Sequence, residues 1–87
     1  MKYKVVLSPL AKRQLSKLDN SVQLRILKYI NTRVDGSTNP RKYGDALTGD
    51  LRGYWRYRVG DYRILCQIVD DVFKVLVVKT GHRREVY

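Results

Sequence analysis

Apolar positions in this chain follow two different periods, and each period predicts its own kind of element. Tyr3-Lys4-Val5-Val6-Leu7 has the aromatic and β-branched composition of a strand. Ser8-Pro9 reads as a helix start, because serine can cap free N–H groups and proline suits the first helical position. Ala11, Leu15 and Leu18 recur at helical spacing and predict a short amphipathic helix over 9–18. Asp19-Asn20-Ser21 interrupts and re-caps. Val22, Ile26, Tyr29, Ile30 and Val34 form a second helical stripe over 20–34, ended by Asp35-Gly36. Two helices so closely joined form an αα-hairpin.

Residues 37–53 break the periodicity with Pro40, Gly44, Gly49 and Gly53, and read as a long irregular connection. Such loops inside a compact domain are usually functional or mobile. The period then changes to two. Tyr54 to Val59, Tyr62 to Val69 and Val72 to Thr80 read as strands, with turns at Gly60-Asp61 and Asp70-Asp71. Glycine first in a two-residue loop suits a type II′ turn. Gly81 to Tyr87 reads as a polar tail. The order β-α-α-β-β-β predicts a single α+β domain over 1–87, a helical hairpin packed on a small antiparallel-rich sheet.

A two-residue loop at Gly60-Asp61 fixes which side chains share a face. Val59 then faces Tyr62, and Trp55, Tyr57 and Val59 join Cys66, Ile64 and Tyr62 on an apolar, aromatic face that should meet the helices. The opposite face holds Arg56, Arg58 and Arg63, with Arg58 directly across from Arg63. A two-residue turn at Asp70-Asp71 would set Ile64, Cys66 and Ile68 against Val77, Val75 and Phe73, and Arg63 against Val78. Like charges directly opposite destabilise a sheet. Three crowded guanidiniums with no neutralising carboxylate in the pattern therefore suggest a face shaped for an anion; the alternative is arginines splayed into water.

Charge sharpens that picture. Eighteen Lys and Arg against eight Asp and Glu give a net charge of +10 at pH 7. Self-repulsion on this scale disfavours the compact state unless a polyanionic partner offsets it, and nucleic acid fits best. The single cysteine, Cys66, excludes an internal disulfide and suits a reducing cytosol. It sits in an apolar run and reads as a buried small hydrophobe. The N-terminus shows no apolar leader and no stretch reaches membrane-spanning length, so a cytoplasmic protein is expected.

The remaining chemistry narrows by residue type. One His and one Cys far apart offer no metal-ligand spacing, and there is no phosphate-cradling glycine loop or nucleophile elbow, so no metal or cofactor is expected. Asp61, Asp70 and Asp71 fit turns better than acid–base work. Arginine is a poor proton shuttle but an excellent bidentate clamp for phosphate. RNA supplies its own nucleophile, the 2′-OH, so a guanidinium cluster could promote cleavage by holding the phosphate as charge develops on it. His82 and Tyr87, near the C-terminus, are the candidates for proton transfer.

These residues resemble those of a known family. The run from Leu51 to Leu65, with Arg52-Gly53-Tyr54-Trp55-Arg56-Tyr57-Arg58 and Tyr62-Arg63-Ile64, is similar to the central signature of RelE-type toxins. Gly81-His82-Arg83-Arg84-Glu85-Val86-Tyr87 is similar to their C-terminal signature, and Ala11 to Leu18 and the Asn39-Pro40 loop leading to Leu47 and Gly49 also fit. The resemblance to the RelE/ParE toxin superfamily implies helices on an antiparallel-rich sheet and messenger-RNA cleavage in the ribosomal A site by 2′-OH attack, without metal. It implies as partners a ribosome carrying messenger RNA and an acidic, partly disordered, RelB-like antitoxin in a heteromeric complex. Arg56 falls where a catalytic lysine occurs, Arg63 matches a phosphate-stabilising arginine, Arg83 the C-terminal arginine, and Tyr87 the terminal tyrosine. Arg52, Tyr54, Arg58, Lys79 and Arg84 are the expected contacts to RNA or ribosome. Two departures stand out: Tyr54 replaces a second lysine, and the Arg83–Tyr87 spacing is short, which leaves His82 to share the proton transfer. Two other functions stay open within the same fold, a ParE-like inhibitor of DNA gyrase and a non-catalytic RNA-binding protein.

Overall fold

The computed structural model describes residues 1–86; the terminal Tyr87, a predicted site residue, lies outside them. Strand β1 (Lys4–Leu7) leads into helix α1 (Pro9–Ser16). Ser8 caps it as its sequence predicts, accepting the Ala11 N–H at 3.0 Å while its hydroxyl donates to the Val78 carbonyl at 2.9 Å. Helix α2 (Asn20–Tyr29) continues into a wider π turn over Ile30–Val34, closed by the Asp35 N–H on the Ile30 carbonyl at 2.8 Å. The predicted single helix over 20–34 is therefore two geometries. Val22, Ile26, Ile30 and Val34 repeat every four residues, a spacing that drifts off one face of a helix with about 3.6 residues per turn. The wider final turn brings Val34 back to the core, where it is 2% exposed.

Strands β2 (Asp45–Ala46), β3 (Trp55–Val59), β4 (Tyr62–Val69) and β5 (Lys74–His82) complete a five-stranded sheet in the order β1-β5-β4-β3-β2. β1 runs parallel to β5 and the other pairs are antiparallel, so the sheet is mixed. The β3–β4 register is the predicted one: Val59 faces Tyr62, Arg58 faces Arg63 and Trp55 faces Cys66. Gly60 supplies the positive φ of 59° that its turn requires.

The next turn departs from expectation. Asp70–Val72 coils into a short 3-10 turn and Phe73 takes a left-handed φ of 51°, so the connection is longer than Asp70-Asp71. Cys66 consequently faces Val77, not Val75, and Ile68 faces Val75, not Phe73. The shift is an even number of residues, so the apolar side chains keep their face. A bulge between Leu65 and Cys66 then moves Ile64 opposite Thr80 and Arg63 opposite Gly81, not Val78. β5 also runs on to His82, taking the first two residues of the predicted tail.

One core lies between the helices and the inner face of the sheet. Ala11, Leu15 and the α2 stripe meet Tyr57, Val59, Ile64, Cys66, Val75 and Val77. Burial at Cys66 pushes its thiol well above the ordinary range, as expected of a packing residue and not a nucleophile. The long loop is tied to this core from above: the Tyr57 hydroxyl donates to the Pro40 carbonyl at 2.5 Å, and the Trp55 indole to the Tyr43 carbonyl at 2.8 Å.

Candidate nucleic-acid interface

The outer face of the sheet carries the arginines. Strand alternation from the β3–β4 register puts Arg56, Arg58, Arg63 and Leu65 there, and β5 adds Lys79 and Gly81 opposite Leu65 and Arg63. This face is not bare. The chain folds back after β5 through two backbone bonds, Arg83 N–H to the Asp61 carbonyl and Glu85 N–H to the His82 carbonyl, both 2.8 Å. Val86 then settles over Gly81, where an added Cβ would meet its Cγ2 at 3.4 Å, and is itself 2% exposed. The predicted polar tail thus ends in an apolar anchor.

The expectation of arginines without a neighbouring carboxylate is corrected. Asp45, brought beside Arg56 by β2, accepts ion pairs from two of them through one oxygen: Arg56 Nη2 lies 3.2 Å and Arg58 Nε 3.3 Å from Asp45 Oδ2. Gly44 permits that approach. Its φ is +86°, and a Cβ there would come within 2.3 Å of the Arg56 carbonyl oxygen. Arg56 is half-buried and Arg58 exposed. Two guanidiniums therefore already bracket one anionic oxygen, and Asp45 stands where an RNA phosphate oxygen could be held.

Arg63 faces elsewhere. Its Nη1 donates to the Gly60 and Tyr62 carbonyls, each at 2.9 Å, which folds the side chain back on the β3–β4 turn. Arg83 emerges exposed beside the same turn, through its backbone bond to Asp61. His82 pairs with Tyr62 across the ladder, and the two rings meet edge to face at 5.6 Å. Alternation thus puts the His82 side chain on the inner side of the sheet's end, opposite Arg63, and its Nδ1 accepts the Arg84 N–H at 3.3 Å. The predicted site residues accordingly form two groups: Arg56 and Arg58 around Asp45, and Arg63, Arg83 and His82 around the hairpin tip. Arg52 and Arg84 are exposed, Tyr54 and Lys79 half-buried. Arg52 and Tyr54 line a shallow depression with Trp55 and Ile68, away from the tip.

Sequence reasoning missed Asp45, and no local signal marks it. It also missed a cation–aromatic stack at the other side of β3, where the Arg33 guanidinium lies 5.4 Å from the Tyr29 ring centre and 5.3 Å from that of Tyr43. Among the described residues no helix is long and apolar enough to cross a membrane.

Comparison with known proteins bears on the family and the fold. A family model described as ParE toxin of type II toxin–antitoxin system matches residues 5–87. Over 87 residues the chain is 30% identical to Toxin RelG of Mycobacterium tuberculosis, covering 100% of this chain and 98% of that protein. It is 27% identical to Toxin RelE of the same organism over 85 residues, 98% of this chain and 86% of that one. Among solved structures, the toxin–antitoxin complex RelBE2 of Mycobacterium tuberculosis superposes with a TM-score of 0.86 at 26% identity, covering 95% of this chain and 100% of that chain. An archaeal RelE–RelB complex from Pyrococcus horikoshii gives 0.71 at 23% identity, covering 99% and 100%, a likeness of fold.

Proposed function

Starting from the chain's membership of the ParE toxin family of type II toxin–antitoxin systems, we propose that this toxin is a ribosome-dependent endoribonuclease of the RelE kind. The observation that carries the reading is the convergence of Arg56 and Arg58 on a single anionic oxygen. A scissile phosphate in that place would displace Asp45 and receive two charge-assisted donors. Charge grows on its oxygens as the 2′-OH attacks, so the donors act most strongly in the transition state. Arg63 and Arg83 at the hairpin tip supply further phosphate contacts once Arg63 releases the turn carbonyls. Arg52, Tyr54, Lys79 and Arg84 extend the basic surface toward ribosome and message. Proton transfer falls to His82 or to Tyr87. Held catalytically silent in the cell, such a toxin pairs with an antitoxin, as in the RelBE2 complex.

Primer extension on a defined messenger RNA, with and without programmed ribosomes, tests this. Cuts should require ribosomes and fall about a hundredfold in rate for Arg63→Ala and for Arg83→Ala, the scale of losing one transition-state donor. Full cleavage by both variants sinks the site. Retained cleavage by His82→Gln would assign proton transfer to Tyr87. A second reading, a gyrase inhibitor without nuclease activity, is favoured by the family model's ParE description. Intact message together with loss of gyrase supercoiling would establish it instead.

A further inference from the structure

Three shallow depressions adjoin on the helix side of the β3 edge, with volumes of about 370, 280 and 220 Å³. Each pair of them shares a lining residue, Tyr43 between the first and second, Tyr29 between the second and third and Arg33 between the first and third, so they form one furrow. β2 pairs only with Trp55 and Arg56, and among the described residues the Tyr57–Val59 edge has no partner strand on that side. Arg58 lines the 280 Å³ depression with Tyr29 and Tyr43, which joins the furrow to the arginine-bearing face.

Chemistry in the furrow is consistent along its length. Arg33 lies against the Tyr29 and Tyr43 rings, and the Lys42 ammonium is 5.7 Å from the Tyr43 ring centre. Lys28 lines the smallest of the three depressions, beside Tyr29 and Arg33. None of Lys28, Arg33 and Lys42 forms an ion pair among the described residues. The two carboxylates along the furrow are engaged elsewhere: Asp35 accepts the Val5 N–H at 3.0 Å, and Asp45 holds Arg56 and Arg58.

We infer that this furrow is a second RNA-binding surface, which takes the backbone and an unstacked base of a single strand leaving the Arg56–Arg58 clamp. Planar tyrosines and a guanidinium stacked on them offer base-sized platforms, and the flanking lysines sit where phosphates would pass. An acidic peptide would meet the same charge, but it has no use for the stacking planes and no reason to run on through Arg58. The inference extends the nuclease reading by giving the chain a grip on RNA away from the point of cleavage.

Fluorescence anisotropy with a 5′-labelled 12-nucleotide RNA bearing 2′-O-methyl riboses, which cannot be cut by 2′-OH attack, tests it. Arg33→Ala should weaken binding about tenfold, in the range of one lost stacking contact. Arg33→Lys should restore the salt dependence but not the affinity. The pair Lys28→Gln and Lys42→Gln, both at exposed positions, should lower the slope of log affinity against log salt by about 1.4, at about 0.7 per phosphate released from a single strand. Wild-type affinity and slope in the Lys28→Gln/Lys42→Gln protein would overturn the inference, as would losses seen only with a polyglutamate peptide as probe. Cleavage on programmed ribosomes is scored separately. A protein that never cuts, yet loses RNA binding in these variants, refutes the nuclease reading and upholds the furrow.

Discussion

At Asp45 one carboxylate oxygen holds two guanidiniums that a phosphate would need. On the proposed reading the pair would orient Arg56 and Arg58 before RNA arrives and would also compete with RNA for them. Competition should dominate in binding, because the carboxylate is about half exposed and such pairs contribute only about 0.2–1 kcal/mol each. Asp45→Asn is therefore expected to tighten RNA binding about threefold at low salt, measured by anisotropy, and weaker binding would show orientation to be its larger role. A second carboxylate acts on stability alone. Asp70 receives both Arg41 guanidinium nitrogens at 2.9 Å and the Tyr3 hydroxyl at 2.6 Å. Arg41 first, then Tyr3, holds its carboxyl down to about 2 from an ordinary 3.8. A carboxyl depressed in the folded state adds stability that is complete above the unfolded value and lost as pH falls through the folded one. Asp70→Asn should thus be less stable than the parent at pH 7, with the gap closing between pH 3.8 and about 2. A gap independent of pH in urea titrations would refute this.

The elements that the sequence pattern makes visible are those with a long run of one period. β4 spans Tyr62–Val69 as its alternation predicts, and the face of every arginine on β3 and β4 follows from Gly60-Asp61 alone. The pattern is silent where an element is short or its partner distant. β2 has two residues, both exposed, so no alternation exists to read. Its effect on the site is large nonetheless, because it delivers Asp45. Nor does Val86 stand out, a lone apolar residue after four polar ones, until the return of the chain over Gly81 gives it a place to pack. The parallel pairing of β1 with β5 joins residues some seventy positions apart, which no local period encodes. Tyr57 shows how the irregular loop is held despite lacking periodic structure. Tyr57→Phe removes the bond to the Pro40 carbonyl and leaves that acceptor unpaired, an expected loss of about 1–3 kcal/mol. Urea unfolding should show a lower midpoint with an unchanged slope; a wild-type midpoint would mean the loop is held by other contacts.

For the whole molecule, a net charge of +10 on 87 residues should make folding and the proposed RNA binding respond to salt in opposite directions. Cations stand on the outer face at Arg56, Arg58 and Arg63 and in the furrow at Lys28, Arg33 and Lys42, so repulsion acts across the β3 edge as well as along it. Screening relieves that repulsion, and the free protein should melt at a higher temperature as salt is raised. RNA binding should weaken over the same range. Engagement of both surfaces gives a slope of log affinity against log salt near −4, at about −0.7 for each of some six phosphates, whereas the outer face alone gives about −2. The first slope means a loss of about three hundredfold between 50 and 200 mM salt, the second of about twentyfold. A slope near −2 that no furrow substitution changes would confine RNA to the sheet. A steep slope would mean that one strand spans both sides of β3.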